Sequence, residues 1–169
     1  MKERIGNPVS SKVQPWLMGI WILVLAVIAL EASLVFFGIS IGVNPTASQP
    51  YRLFLILKGR SFGRGDLIAF HFPGSHYYDE GSLFVKEVQG ILGDRLEIRS
   101  DRTVWLNGQF LDTVRATDSK GRAVEPVYFN GIIPKDYYFL YAPALNSYDS
   151  RYYGLIGKER IAGKVIPLF

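Results

Sequence analysis

Ser82-Leu83-Phe84-Val85-Lys86-Glu87-Val88-Gln89 decides how the chain is read. Extended backbone sends successive side chains to opposite faces, so Phe84, Lys86 and Val88 share one face and Val85 and Glu87 the other. A lysine therefore stands on an apolar face of the kind that sheets bury. Two readings stay open on alternation alone. The stem lies along the sheet with its ammonium in water, or the whole side chain is buried and its charge becomes costly.

Outward from this stretch the same period recurs. Upstream, Arg52 to Leu57 is a short apolar run suited to a buried strand, and Gly59 to Gly65, with three glycines and two arginines, reads as a turn. Asp66 to Phe72 is a second strand, closed by Pro73-Gly74, and Gly74 to Gly81 is a polar, tyrosine-bearing loop. Downstream, Gly90 to Asp94 turns the chain into a strand over Arg95 to Arg99. Thr103 to Leu106 and Gln109 to Thr113 flank Asn107-Gly108, the strongest short hairpin signal. Val114 to Val124 reads as a loop, Gly131 to Asp136 as a turn and Asn146 to Gly154 as irregular. Tyr137 to Tyr141 and Arg160 to Ile166 complete the strands. The expected fold is mostly β, with several antiparallel strands in one domain over 42–169.

The first quarter of the chain follows other rules. Trp16 to Ile41 is apolar except for Glu31, Ser33 and Ser40. That is long enough to cross a hydrocarbon core of about 30 Å with some tilt, which predicts one N-terminal transmembrane helix over 16–41. Lys2, Arg4 and Lys12 precede it, so residues 1–15 are expected in the cytoplasm and 42–169 outside it. A cleaved signal peptide competes with this reading. Its apolar core would run about 7–15 residues, and no Ala-x-Ala exit pattern follows this longer run. A carboxylate at mid-membrane costs a few kcal/mol, so Glu31 faces a partner or sits near the far interface.

Composition removes several classes. With no cysteine, disulfides, thiolate metal sites and a cysteine nucleophile are excluded. The net charge of +4 is mild and its basic residues are scattered, which leaves no footprint for nucleic acid. His71 and His76 are the only histidines; without cysteines they make a poor zinc site, and nothing in their spacing supports a Ser-His-Asp triad. No cofactor or metal is expected. The remaining base able to activate a serine is a neutral lysine. Free lysine titrates near 10.4, so working at neutral pH needs a shift of about three units, or about 4 kcal/mol. Burial supplies shifts of that size, and the Phe84/Val88 face offers Lys86 that burial. The candidate partner hydroxyl is that of Ser48, in Asn44-Pro45-Thr46-Ala47-Ser48-Gln49-Pro50 just after the apolar run.

Four separated segments resemble the boxes of the type I signal peptidases, membrane-anchored serine–lysine proteases. They are Thr46 to Pro50; Gly65-Asp66-Leu67-Ile68-Ala69-Phe70; Phe84 to Val88 with Gly90 and Gly93-Asp94; and Asn146 to Gly154. The hairpin Val104-Trp105-Leu106-Asn107-Gly108 occurs in that family at the same place in the order. The small size, the Ser-x-Pro and the ending Gly163-Lys164-Val165-Ile166-Pro167-Leu168-Phe169 resemble its conjugative-transfer branch, the TraF-like peptidases that mature pilin subunits of plasmid-encoded secretion systems. Gln49 stands where general signal peptidases carry methionine.

The resemblance implies a role for each matching residue. Ser48 is the nucleophile and Lys86 the general base. Thr46 and the Ser48 N–H hold the oxyanion, a donor typically worth roughly 2.7–4 kcal/mol. Ser147 orients the lysine, and Asp149 and Arg151 form a supporting ion pair, worth little if it proves exposed. It also implies the partners: a membrane-inserted precursor (pilin or preprotein), the bilayer, and other membrane subunits of the transfer machinery. The implied location is the bacterial inner membrane, with the catalytic domain on the periplasmic side. An aromatic rim of Tyr51, Phe54 and Tyr77 is expected near the headgroups. Two alternatives stand beside this reading: a general signal peptidase, and a non-catalytic anchored assembly factor of an envelope machine.

Overall fold

The long apolar run divides in two. The computed structural model describes residues 14–43 and 51–168, and its first element is helix α1, Pro15–Phe36. Proline fits the first helical turn, where its missing N–H would have no partner. At 1.5 Å per residue, 22 residues extend about 33 Å, enough to span a bilayer core. The helix is hydrophobic all round, the pattern suited to a lipid solvent. At its end the Phe37 N–H donates to Ser33 O at 3.0 Å. Gly38 then takes φ +69°, a left-handed residue that stops a helix at little cost.

The expected anchor over 16–41 is therefore corrected at its end. Ile39–Val43 is strand β1, paired with β2 (Leu53–Leu57) from Ile39↔Leu57 to Val43↔Leu53. β-branched Ile39, Ile41 and Val43 favour extended backbone once Gly38 has broken the helix. The chain accordingly separates into one unit up to Phe37 and a second from Gly38.

In the second unit the strands continue as β3 (Leu67–His71), β4 (Leu83–Gly90), β5 (Arg95–Ile98), β6 (Thr103–Leu106), β7 (Gln109–Thr113), β8 (Phe129–Ile132) and β9 (Tyr137–Tyr141). Helix α2 (Ser150–Tyr153), β10 (Ile156–Gly157), a 3-10 turn at Lys158–Arg160 and β11 (Ile161–Pro167) follow. All described strand pairs are antiparallel. A seven-stranded sheet runs β1-β2-β11-β3-β4-β9-β10, and a four-stranded one runs β7-β6-β5-β8. The expected mostly β fold is what the chain forms. The unpredicted β8 reads from sequence as a turn because Gly131 interrupts it, but pairing with β5, Arg95↔Ile132 to Ile98↔Phe129, holds it extended.

Burial follows the sheet period. One face of the large sheet gathers Ile68, Phe70, Phe72, Val88, Leu140 and Ile156; the other gathers Phe54, Ile56, Ala69 and Val165. Leu96, Ile98, Val104, Leu106, Ile133 and Phe139 fill a third cluster around the smaller sheet. Phe54 alternates inward with Ile56 along β2 and is buried, so it cannot belong to the aromatic rim expected with Tyr51 and Tyr77.

Candidate active site

Lys86 lies in the middle of β4, opposite Ile68 of β3. Phe84 and Val88 pack with the cluster of Ile68 and Phe70, whereas Val85 packs with Ala69 on the reverse face. The alternation read from sequence thus puts Lys86 inward, and only 4% of it is exposed. That decides between the two readings of this lysine. Its Nζ stands 5.8 Å from the Phe84 ring centroid. Burial, which penalises the ammonium, lowers its pKa from 10.5 to about 8; the charge of Asp149 pushes it up and that of Arg151 pushes it down.

Asp149 and Arg151 come from the turn that enters α2. Asp149 is its N-cap and accepts from the Arg151 N–H at 3.3 Å. Arg151 Nε and Nη2 donate to the two carboxylate oxygens of Asp149, each at 2.8 Å, in a fork that fits the planar guanidinium. Asp149 is wholly buried and Arg151 nearly so, hence the pair is structural and not a surface one. Burial opposes the Arg151 charge, yet the Asp149 bonds hold its pKa above the ordinary value. Asp149 also accepts from the Ala142 N–H at 3.3 Å. Glu87, next to Lys86 on β4, pairs with Tyr141, the last residue of β9, and Ala142 follows directly, so the Ala142 bond holds this carboxylate near the lysine on which it acts.

Ser147 precedes Asp149 by two residues, in a turn closed by its N–H donating to Ala144 O at 2.9 Å. Its hydroxyl is buried and has no hydrogen-bond partner among the described residues, Lys86 included. A buried hydroxyl left so forgoes about 1–3 kcal/mol. Ser147 also lines a cleft of about 340 Å³ between the loops carrying Tyr77 and Lys120 and the start of α2, which carries Tyr152. Ser48, Thr46 and Gln49 lie outside the described residues. Among the described residues no three His, Asp or Glu side chains are placed to hold a metal.

The family profile described as signal peptidase, peptidase S26, matches residues 13–169. The chain belongs to the S26 signal peptidase family, in its TraF-like branch. It is similar to the conjugal transfer protein TraF of Agrobacterium fabrum (strain C58), 34% identical over 145 residues, with 75% of this chain and 81% of that protein covered. The probable conjugal transfer protein TraF of Sinorhizobium fredii is 28% identical over 166 residues, covering 89% and 87%. The probable signal peptidase I-2 of Synechocystis is 28% identical over 113 residues, covering 63% of this chain and 47% of its own. Among solved structures, a signal peptidase I of Enterococcus faecalis V583 aligns at 24% identity with a TM-score of 0.42, covering 63% of this chain and 98% of that one.

Two roles in this S26 chain escaped sequence reading, those of Asp112 and Asp94. Asp112 of β7 accepts from Arg151 Nη1 and, at 2.9 Å, from the Tyr141 hydroxyl, tying the smaller sheet to the turn of α2. Burial, helped by the Asp112 bond, pushes the Tyr141 pKa up to about 12, so the phenol stays a donor. Asp94, in the lysine box, accepts from Arg64 Nη2 at 2.7 Å, Asn107 Nδ2 at 2.8 Å and the Ile91 N–H at 2.8 Å. It clamps the turn after β4 to the hairpin of β6 and β7, a scaffold role.

Proposed function

We propose that the chain is a membrane-anchored serine endopeptidase that cleaves the leader of an exported precursor, a conjugative pilin subunit, at the outer face of the inner membrane. The buried Lys86, its pKa brought down to about 8, carries the reading. A desolvated lysine on a strand is costly to keep and useful as a neutral base. Neutral Lys86 takes the proton of Ser48 Oγ as that oxygen bonds to the scissile carbonyl carbon. The Ser48 N–H and the Thr46 hydroxyl hold the resulting oxyanion. The ammonium of Lys86 then returns the proton to the leaving amine, and the acyl-enzyme remains. Water, deprotonated by Lys86, releases the acid. The Asp149–Arg151 pair fixes the turn that carries Ser147, whose buried hydroxyl makes no bond to Lys86 in this structure.

The similarity to two conjugal transfer proteins favours a dedicated pilin precursor over a broad set of secreted proteins. The basic residues ahead of the helix favour a cytoplasmic N-terminus. The test is mass spectrometry of a co-expressed pilin precursor with wild type, Ser48→Ala and Lys86→Ala. Trimming by wild type and by neither variant is the expected result. Trimming by both variants overturns the serine–lysine dyad and favours an assembly factor. Equal trimming of unrelated preproteins by wild type favours a general signal peptidase.

A further inference from the structure

The cleft beside Ser147 carries more charge than its structure uses. Its mouth holds three cations, Arg115, Lys120 and Arg122, against one carboxylate, Asp118. That carboxylate is fully engaged. Asp118 accepts from the Lys120 N–H at 2.8 Å, the Arg122 N–H at 2.9 Å and Arg122 Nε at 2.6 Å. These bonds, with a left-handed Gly121, fix the loop that presents the cations, and they cancel Arg122, whose guanidinium lies 4.9 Å from the Tyr77 ring centroid. Two charges are left over. Arg115 donates to Asn146 Oδ1 at 3.0 Å, a neutral partner, and Lys120 makes no ion pair among the described residues. The wall is aromatic: Tyr148 stacks on Tyr152 with ring centroids 5.6 Å apart, and Tyr77 meets Tyr148 edge-on at 5.8 Å.

A pocket of uncompensated cations over tyrosine rings suits a chain with carboxylates on an otherwise apolar backbone. Its position bears on the reacting centre, because Ser147 lines it and Asp149, two residues on, acts on Lys86. We infer that this cleft takes an acidic peptide segment of the precursor, its carboxylates against Arg115 and Lys120 and its apolar atoms against the tyrosines. The inference rests on the peptidase reading and adds to it what the substrate must carry. A concave wall built from two loops and the start of α2 fits a peptide better than the flat array of headgroups at a bilayer.

The test uses the full chain in detergent micelles and two fluorescein-labelled peptides, one alternating Glu and Ala, the other Gln and Ala. Fluorescence anisotropy should show the Glu peptide bound about fivefold more tightly at low salt, with the advantage fading as salt rises. Arg115→Gln combined with Lys120→Gln should abolish the preference. Lys120→Glu should gain affinity for a Lys-Ala peptide, a result that a misfolded variant cannot give. Equal binding of the Glu and Gln peptides, or a preference that survives the double substitution, overturns the inference. Displacement of both peptides alike by phosphatidylglycerol added to the micelles assigns the cleft to lipid headgroups and overturns it too. No bond is cleaved in this assay, so its failure stays separate from a failure of Ser48→Ala to stop processing.

Discussion

Lys86 concentrates the conflict between stability and chemistry in one side chain. Only its neutral form can accept a proton, so kcat/KM on a precursor peptide should rise with pH and level off above about 8, read by a profile from about pH 6 to about pH 10. A rate already flat at about pH 6 would remove Lys86 as the base. The same pKa has a stability consequence of defined sign. Folding favours the neutral lysine, so the charged one is penalised in full below about pH 8, and the penalty vanishes as pH rises toward the unfolded value of 10.5. Lys86→Met should therefore stabilise the chain by roughly 3 kcal/mol near neutral pH, and by less near about pH 10.5, measured by denaturant unfolding in micelles. Its neighbours tune it in opposite directions. Removing the Asp149 carboxylate (Asp149→Asn) should move the pH profile down, whereas Arg151→Gln should move it up. Each should also cost about 3–5 kcal/mol, because a buried charge loses its partner. A purely structural pair would lower activity in both variants without opposite shifts.

At the scale of elements, β11 is the strand the large sheet closes on, lying between β2 and β3. Its Gly163 sits at an irregularity in the pairing with β3, and a Cβ there would stand 2.6 Å from Leu57 O. Gly163→Ala should push β11 off β2 and cost about 1–3 kcal/mol, seen as a lower unfolding midpoint of the full chain. Elements with a local cause were legible in the sequence. Strand period put Lys86 on an apolar face but left open whether its ammonium reaches water, which only the packing of β3 and β4 decides, and the β6–β7 hairpin was announced by Asn107-Gly108, whose φ values are +53° and +78°. Helix α2 was legible in principle: Asp149 caps it and Gly154 ends it at φ +83°, though four residues are too few to show a period. Elements with a distant cause were not legible. Asp112 meets Arg151 across 39 positions of sequence, and nothing in Gln109 to Thr113 announces that partner. Strand β1 was hidden because Ile39 and Ile41 continue the apolar run of α1, and hydropathy cannot tell a lipid-facing helix from a sheet strand.

For the molecule as a whole, the decisive question is which side of the membrane receives the β domain. Helix α1 carries no basic residue in its last turn and no acidic residue in its first, so the span itself gives little orientation. The bias to be tested is that of Lys2, Arg4 and Lys12 ahead of it, since basic residues flanking a span favour the cytoplasmic side. A C-terminal alkaline phosphatase fusion, active only after export, should therefore be active in intact bacteria. Replacing Lys2, Arg4 and Lys12 by Glu should lower that activity, because the remaining asymmetry no longer holds the N-terminus inside. Full activity in the triple variant would show that the domain is exported for another reason. Phosphatase inactive in the unaltered chain would put Lys86 in the cytoplasm, out of reach of any exported precursor, and the peptidase reading would lose its substrate. Orientation is thus upstream of every kinetic experiment, since the proposed dyad needs a leader that emerges from the bilayer on its own side.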